Sequence, residues 1–272
     1  MDAMLEMVSR SDPGKLRPLN EDAVHIDPRL GFAVLADGMG GYNAGEVASG
    51  MATTLLAGAL EKRWQAMPPA GDAARGVIAA CIAEANNAIH AAAQNHPHYA
   101  GMGTTLVLAM FATDAVIVAH VGDSRLYRLR GRDFSLLTHD HSLLQEQLDR
   151  GLISAADARR SQHKNLVTRA IGIDPEVEAE VATLDFRAGD IYLLCSDGLN
   201  DMLPDADIAA ALKAHGGDLQ AAADALVRAA IDAGGRDNVS LILVRGKDRT
   251  APGGGWLRRL LGFLGWGRPC AS

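Results

Sequence analysis

The chain has 272 residues, 48% hydrophobic and 22% charged, enough to bury a large core without disulfides or structural metals. Its formal charge of −7 argues against a general nucleic-acid surface. Three scattered cysteines (Cys81, Cys195, Cys270) form no disulfide framework, Met1 to Arg10 lacks the apolar core of a secretory signal, and no stretch has the length of a membrane span, so a cytoplasmic protein is expected.

In chain order, the first polar segment of interest is Asn20-Glu21-Asp22, with Arg17 four residues ahead of Glu21. Phe32 to Ala36 reads as a buried strand feeding the loop Asp37-Gly38-Met39-Gly40-Gly41. Ala44 to Leu60, rich in Ala and Leu and free of Pro, reads as a helix. A second helix is expected from Asp72 to about Gln94, where Val77, Ile78, Cys81, Ile82, Ala85 and Ile89 recur at helical spacing and Pro97 ends the pattern. Thr104 to Phe111, Ala115 to Val121 and Arg125 to Leu129 read as consecutive antiparallel strands, the last two split by Gly122-Asp123-Ser124. Thr138 to Asp174 is polar, with short helical pieces at Ser142 to Asp149 and Ala155 to Arg160, and reads as a surface flap. Asp190 to Ser196 is another buried strand, ending in Asp197-Gly198-Leu199-Asn200-Asp201. Two helices follow, with Asp205 and Asp218 as expected caps and Gly216-Gly217 and Gly234-Gly235 as stops. Val239 to Val244 is the last strand, directly after Asp237-Asn238.

Five acidic segments thus border apolar runs, and those at Asp37, Asp197 and Asp237 lie where a strand meets a loop. Carboxylates are hard oxygen ligands, so several brought together suit Mg²⁺ or Mn²⁺. Arg17 adds a planar donor pair of the kind that grips phosphate. Singly, Asp37-Gly38 and Asp197-Gly198 are common turn pairs, and Asp123-Ser124 fits a hairpin turn; the functional reading rests on the set. His139-Asp140-His141 has a zinc-like spacing but lacks further ligands of that type, and reads as exposed flap residues. Cys195 reads as a small buried hydrophobe. Gly101-Met-Gly-Thr-Thr105 lacks the Lys of a phosphate-binding loop and reads as a tight lead into a strand.

The motifs Arg17-Pro-Leu-Asn-Glu-Asp22, Ala36-Asp-Gly-Met-Gly-Gly41, Gly101-Met-Gly-Thr-Thr105, Val121-Gly-Asp-Ser-Arg125, Cys195-Ser-Asp-Gly-Leu-Asn-Asp201 and Asp237-Asn238 occur in one order over about Leu5 to Arg245. In that order and spacing the chain resembles the compact bacterial branch of the metal-dependent protein serine/threonine phosphatases (type 2C, PPM). The resemblance implies an α+β fold: a four-layer α-β-β-α sandwich of two central antiparallel sheets flanked by helices, with a flap insertion. It implies a phosphatase domain over residues 1–246, with the flap at about 138–174.

For the site, it implies two main ions, Mn²⁺ or Mg²⁺, bridged by Asp37 with the Gly38 carbonyl assisting. Glu21 would serve one ion; Asp197 and Asp237 would serve the other. Asp22 would act through water, and Arg17 would bind the phosphate. A third, weaker ion would take Asp123 and Asp201, with Asp197 shared. The implied reaction is attack of a metal-activated water on phosphoserine or phosphothreonine in protein substrates, opposing a bacterial serine/threonine kinase. Met39 stands where animal-type relatives often carry a histidine proposed as the acid, which leaves the acid's identity open. No nucleic-acid partner is implied, and a monomer is expected. Two other classes, a phosphoprotein-binding pseudoenzyme on the same fold and a nuclease built on clustered Asp, are disfavoured by the complete carboxylate set and the acidic charge.

Residues 247–272 read as a Gly-rich linker and a short basic tail. Leu257, Leu260, Leu261 and Leu264 fall on one helical face within the segment 256–266, beside Arg258 and Arg259. Two readings stay open: a helix that touches an anionic membrane surface or a partner's groove, or a tail folded on its own domain.

Overall fold

The computed structural model describes residues 5–41, 44–66, 71–154, 157, 166–215 and 217–247. Among them are the strands β1 (Leu5–Asp12), β2 (Asp22–Asp27), β3 (Phe32–Met39), β4 (Gly103–Thr104), β5 (Leu106–Phe111), β6 (Ala115–Val121), β7 (Arg125–Arg130), β8 (Asp133–Leu136), β9 (Glu180–Asp185), β10 (Ile191–Cys195) and β11 (Val239–Gly246). The helices are α1 (Ala44–Ala66), α2 (Asp72–Asn95), α3 (Leu143–Asp149), α4 (Asp197–Asn200), α5 (Asp205–Ala214) and α6 (Leu219–Asp232). One sheet runs β1-β11-β10-β7-β8; the other runs β2-β3-β5-β6-β9, with β4 added to β3.

The central strands are apolar on both faces, and their two-residue period divides each run between two cores. Ala33 and Leu35 of β3, Val107 and Ala109 of β5, Tyr192 and Leu194 of β10, and Ile242 and Val244 of β11 meet between the sheets. The alternate residues of the second sheet, Val34, Ala36, Leu106 and Leu108, pack beneath Ala48, Leu56, Ile78 and Ile89 of α1 and α2. On the other side, Leu193, Cys195, Leu241 and Leu243 pack beneath Ile208, Leu212, Leu219 and Leu226 of α5 and α6. The result is the expected four-layer α-β-β-α sandwich.

Several local expectations change. The run from Ala115 to Leu129 is not a hairpin, because β6 and β7 lie in different sheets and Gly122-Asp123-Ser124 carries the chain between them. Thr104 to Phe111 breaks at Thr105, since β4 pairs with Gly38-Met39 while β5 pairs further along β3. Asp205 does not cap its helix: Pro204 holds that position, and the Asp205 carboxylate accepts the Tyr127 hydroxyl instead. Asp218 does cap α6, accepting from Gln220 N and Ala221 N. Among the described residues no helix is long and apolar enough to cross a membrane. The helical piece at 155–160, apart from Asp157, and the tail segment 256–266 lie outside the described residues.

Candidate metal centre

Both sheets contribute carboxylates to one end of the sandwich. From the second sheet, Asp22 and Asp37 are paired directly across β2 and β3. The Asp37 backbone is held at both polar groups: its N–H donates to Thr105 Oγ1 (3.0 Å), and its carbonyl accepts from Thr105 N (2.8 Å) and Thr104 Oγ1 (2.9 Å). Gly38 donates its N–H to the Glu21 carbonyl (3.0 Å), which ties the Glu21 loop to β3. A Cβ on Gly38 would overlap the Gly45 carbonyl at the start of α1, so only glycine admits that close approach. The Glu21 carboxylate accepts the Gly45 N–H at this helix N-terminus.

From the first sheet, β10 ends at Cys195 and α4 begins at Asp197, with Asp201 one turn on along the same helical face. The Asp201 N–H donates to the Asp197 carbonyl at 2.8 Å. Asp237 precedes β11, and its Oδ2 accepts from Arg17 Nη2 at 2.7 Å. Asn238 was not assigned a role from sequence, and it is a staple. Its Oδ1 accepts the Glu21 N–H (2.7 Å), and its Nδ2 donates to the carbonyls of Pro13 (3.0 Å) and Leu19 (2.8 Å). One buried amide therefore fixes the loop that carries Arg17 and Glu21. Asp123 is buried in the turn between β6 and β7.

Electrostatics shows that these groups share one site. Loss of solvation raises the Asp37 carboxyl well above its ordinary range, and the charges of Asp22, Asp197, Asp123 and Asp237 raise it further. Asp197 is raised the same way, by desolvation and then by Asp123, Asp237, Asp201 and Asp22. Asp22 is pushed up to about 6 by desolvation, against the hydrogen bonds of Ser240 and Ser196. Asp123 is pushed up to about 6 by desolvation and by Asp140. Glu21 is raised by desolvation, with Arg17 opposing. Carboxylates set in mutual repulsion are what bound cations would relieve. Asp22 gives a second sign. Its Oδ2 accepts from Ser196 Oγ (2.8 Å), while its Oδ1 is buried with no hydrogen-bond partner. An all-oxygen donor set with an orphaned carboxylate oxygen fits hydrated Mg²⁺ or Mn²⁺.

All the sequence-derived candidates therefore bear on one region, though Arg17 is paired with Asp237 rather than held apart for a ligand. Other expectations shift. His139 is exposed, but His141 is buried, and Asp140 makes a two-pronged ion pair with Arg125 (2.6 to 3.1 Å), so the His-Asp-His segment is not simply flap surface. Burial pushes the Cys195 thiol up to about 12, which leaves it unreactive.

Two stacked antiparallel sheets, helices on both outer faces and a shared acidic site at one end with an arginine on its rim are the arrangement that metal-dependent hydrolysis of a phosphate ester calls for. The Protein phosphatase 2C family profile matches residues 18–230, and the chain belongs to that family. The serine/threonine phosphatase stp of Listeria innocua is 38% identical over 238 residues, covering 86% of this chain and 93% of the relative. The crystal structure of the Mycobacterium tuberculosis serine/threonine phosphatase PstP superposes with a TM-score of 0.81 at 37% identity, covering 90% of this chain and 99% of the other. The PstP catalytic domain has also been solved in complex with two manganese ions; it matches with a TM-score of 0.80 at 36% identity over 90% of this chain and 99% of that one. The protein is a protein serine/threonine phosphatase whose dephosphorylation of proteins depends on metal.

Proposed function

We propose that this chain hydrolyses phosphoserine and phosphothreonine in proteins and so reverses a bacterial serine/threonine kinase. The observation that carries the reading is the set of carboxylates gathered from both sheets, in which Asp37 and Asp197 are raised by burial and further by the charges of their acidic neighbours. Asp37 would bridge two main ions with the Gly38 carbonyl beside it, Glu21 would serve one, and Asp197 and Asp237 the other. Asp123 and Asp201 would hold a third, weaker ion. When bound, divalent cations supply Lewis acidity at the attacking water and at the phosphoryl oxygens. The chain's own part is to orient and to hold charge. Arg17 commits Nη2 to Asp237, and its half-exposed guanidinium keeps further donors for a phosphoryl group. Asp22, anchored by Ser196, keeps its second oxygen free of protein partners and would act through a water. The occupant is Mn²⁺ or Mg²⁺, and the protein is proposed to act as a monomer, with no nucleic-acid partner.

The test is hydrolysis of para-nitrophenyl phosphate and of a phosphothreonine peptide with Mn²⁺ and after chelation. Turnover that needs Mn²⁺ and disappears in Asp37→Asn and in Asp197→Asn is expected. Turnover that survives chelation, or that either variant retains, refutes the assignment.

A further inference from the structure

Gly122-Asp123-Ser124 passes from one sheet to the other, and side chains outside the carboxylate set hold it on two sides. On one side, Ser124 Oγ and Thr105 Oγ1 are both buried and 2.7 Å apart. Thr105 Oγ1 is also the acceptor for the Asp37 N–H, so the turn is tied to the strand of the bridging carboxylate. On the other side, His141 makes two bonds to Gly122. Its backbone N–H donates to the Gly122 carbonyl (3.0 Å), and its imidazole Nδ1 accepts the Gly122 N–H (3.2 Å). Gly122 has a φ of +99°, and a Cβ there would come within 2.8 Å of the Thr105 side chain, so the turn depends on these partners and on glycine.

A backbone N–H only donates, so Nδ1 of His141 carries the lone pair and Nε2 the proton. That proton points at Glu180 Oε1, 3.0 Å away on β9. The His141 ring stacks on His120, with centroids 4.8 Å apart and planes at 21°, and His120 Nε2 lies 2.8 Å from the His139 carbonyl. His120, His141 and Glu180 have the composition of a zinc site, with ligand atoms within 4.8 Å of one another. The hydrogen bonds argue against that use: His141 Nε2 is protonated and engaged, and two stacked rings do not converge on one ion.

We infer that His141, held in its Nε2–H tautomer by Glu180, is a positioning residue that sets the Gly122–Ser124 turn and with it the placement of Asp123 for the third, weaker ion. The inference rests on the assignment of Asp123 and Asp201 to that ion. His141 stands one residue from the ligand, in the orienting role that partners behind a metal ligand play. It also begins the segment that leads into α3, so the flap and the third site share one residue.

Mn²⁺ titration calorimetry of the full chain tests this. Wild type is expected to show two tight events and a weaker third, and Asp123→Asn to lose only the third. Asn places an acceptor oxygen where Nδ1 stands, whereas Gln reaches the Nε2 position and leaves Gly122 unpaired. His141→Gln is therefore expected to weaken the third event about tenfold with the tight pair intact, and His141→Asn to keep most of it. Glu180→Ala, a half-exposed position, is expected to weaken it about threefold by loosening the tautomer. An imidazole ¹⁵N spectrum of the Mg²⁺-loaded protein is expected to show Nδ1 unprotonated and Nε2 protonated. A third event that is missing in wild type, or kept by Asp123→Asn, overturns the third-site assignment. If Asp123→Asn removes that event but Glu180→Ala and His141→Gln leave it unchanged, the positioning role alone is overturned. Equal loss in His141→Asn and His141→Gln, or a protonated Nδ1, also overturns it.

Discussion

Asp37, Asp197, Asp22 and Asp123 each hold a proton above the usual carboxylate range, because folding removes them from water and sets them beside one another. The sign of the linkage follows. Asp22 and Asp123 titrate near 3.8 when unfolded and at about 6 when folded, so between these values the folded state binds more protons. Their contribution to stability is present at low pH and is lost as pH rises through about 6. Metal-free protein is therefore expected to melt at higher temperature at about pH 5 than at about pH 7, and Asp123→Asn to flatten part of that slope. Thermal melts in chelator across that range check it; identical slopes in wild type and variant would sink the claim. This acidic set was legible in sequence because each member sits in a local signature, a carboxylate beside Gly, Asn or another carboxylate. Asn238, Thr105 and Ser196 stand inside the family's motifs and His141 in the His-Asp-His segment, but none of these marks shows the role it plays. Their roles are hydrogen bonds between distant segments, such as Asn238 to Glu21 across 217 positions, and nothing beside them in the chain announces a partner.

Elements divide by how much apolar surface they bury. β5 and β10 are unbroken apolar runs, and β3 and β11 carry apolar runs through most of their length, so all four are readable as strands, whereas β8 and β9 are edge strands with mostly exposed or half-buried residues and carry no such pattern. The crossing of β6 to β7 between sheets was hidden for a related reason, since a Gly-Asp-Ser turn reads the same in a hairpin as in a crossover. The loop between β1 and β2 has little apolar anchorage: Leu16 is 69% exposed and Leu19 is 39% exposed. Asn238 supplies the anchorage from the start of β11. Asn238→Ala removes three hydrogen bonds, two from the side-chain amide and one to its oxygen. At about 1 kcal/mol each, a loss of about 3 kcal/mol is expected, or roughly 6–12 °C in a domain of this size. Because that loop carries Arg17 and Glu21, KM for a phosphopeptide is expected to rise as well. Denaturant unfolding and steady-state kinetics on one preparation check both. A destabilised variant with unchanged KM would show that the loop keeps its place without the staple.

For the molecule as a whole, the acidic end is where the two sheets bring like charges together. Toward the middle and the far end the sheets meet through apolar contacts, with Phe111, Phe186 and Tyr192 in edge-on or tilted contact. At the site end they present carboxylates: Asp22 and Asp37 from one sheet, Asp197 and Asp237 from the other. Cations bound between them would turn repulsion into a cross-link between layers. At a hundredfold excess over its dissociation constant, each ion adds about 2.7 kcal/mol to the folded state. Two ions together add about 5 kcal/mol, or roughly 10–20 °C in melting temperature. Such a cross-link would have a location, so its removal is expected to be felt unevenly. Under native conditions chelation should speed amide exchange at residues 20–22, 37–38, 197–201 and 237–239, through local opening of that end. Exchange at Phe111, Val116 and residues 191–193 should stay slow, because their apolar packing does not involve the ions. Hydrogen-exchange mass spectrometry of the Mn²⁺-loaded and chelated protein reads both regions at once. Equal acceleration everywhere would mean that metal holds the sandwich as a unit and that the far-end core is not independently stable. No acceleration at the acidic end would mean that the carboxylates do not bridge the sheets.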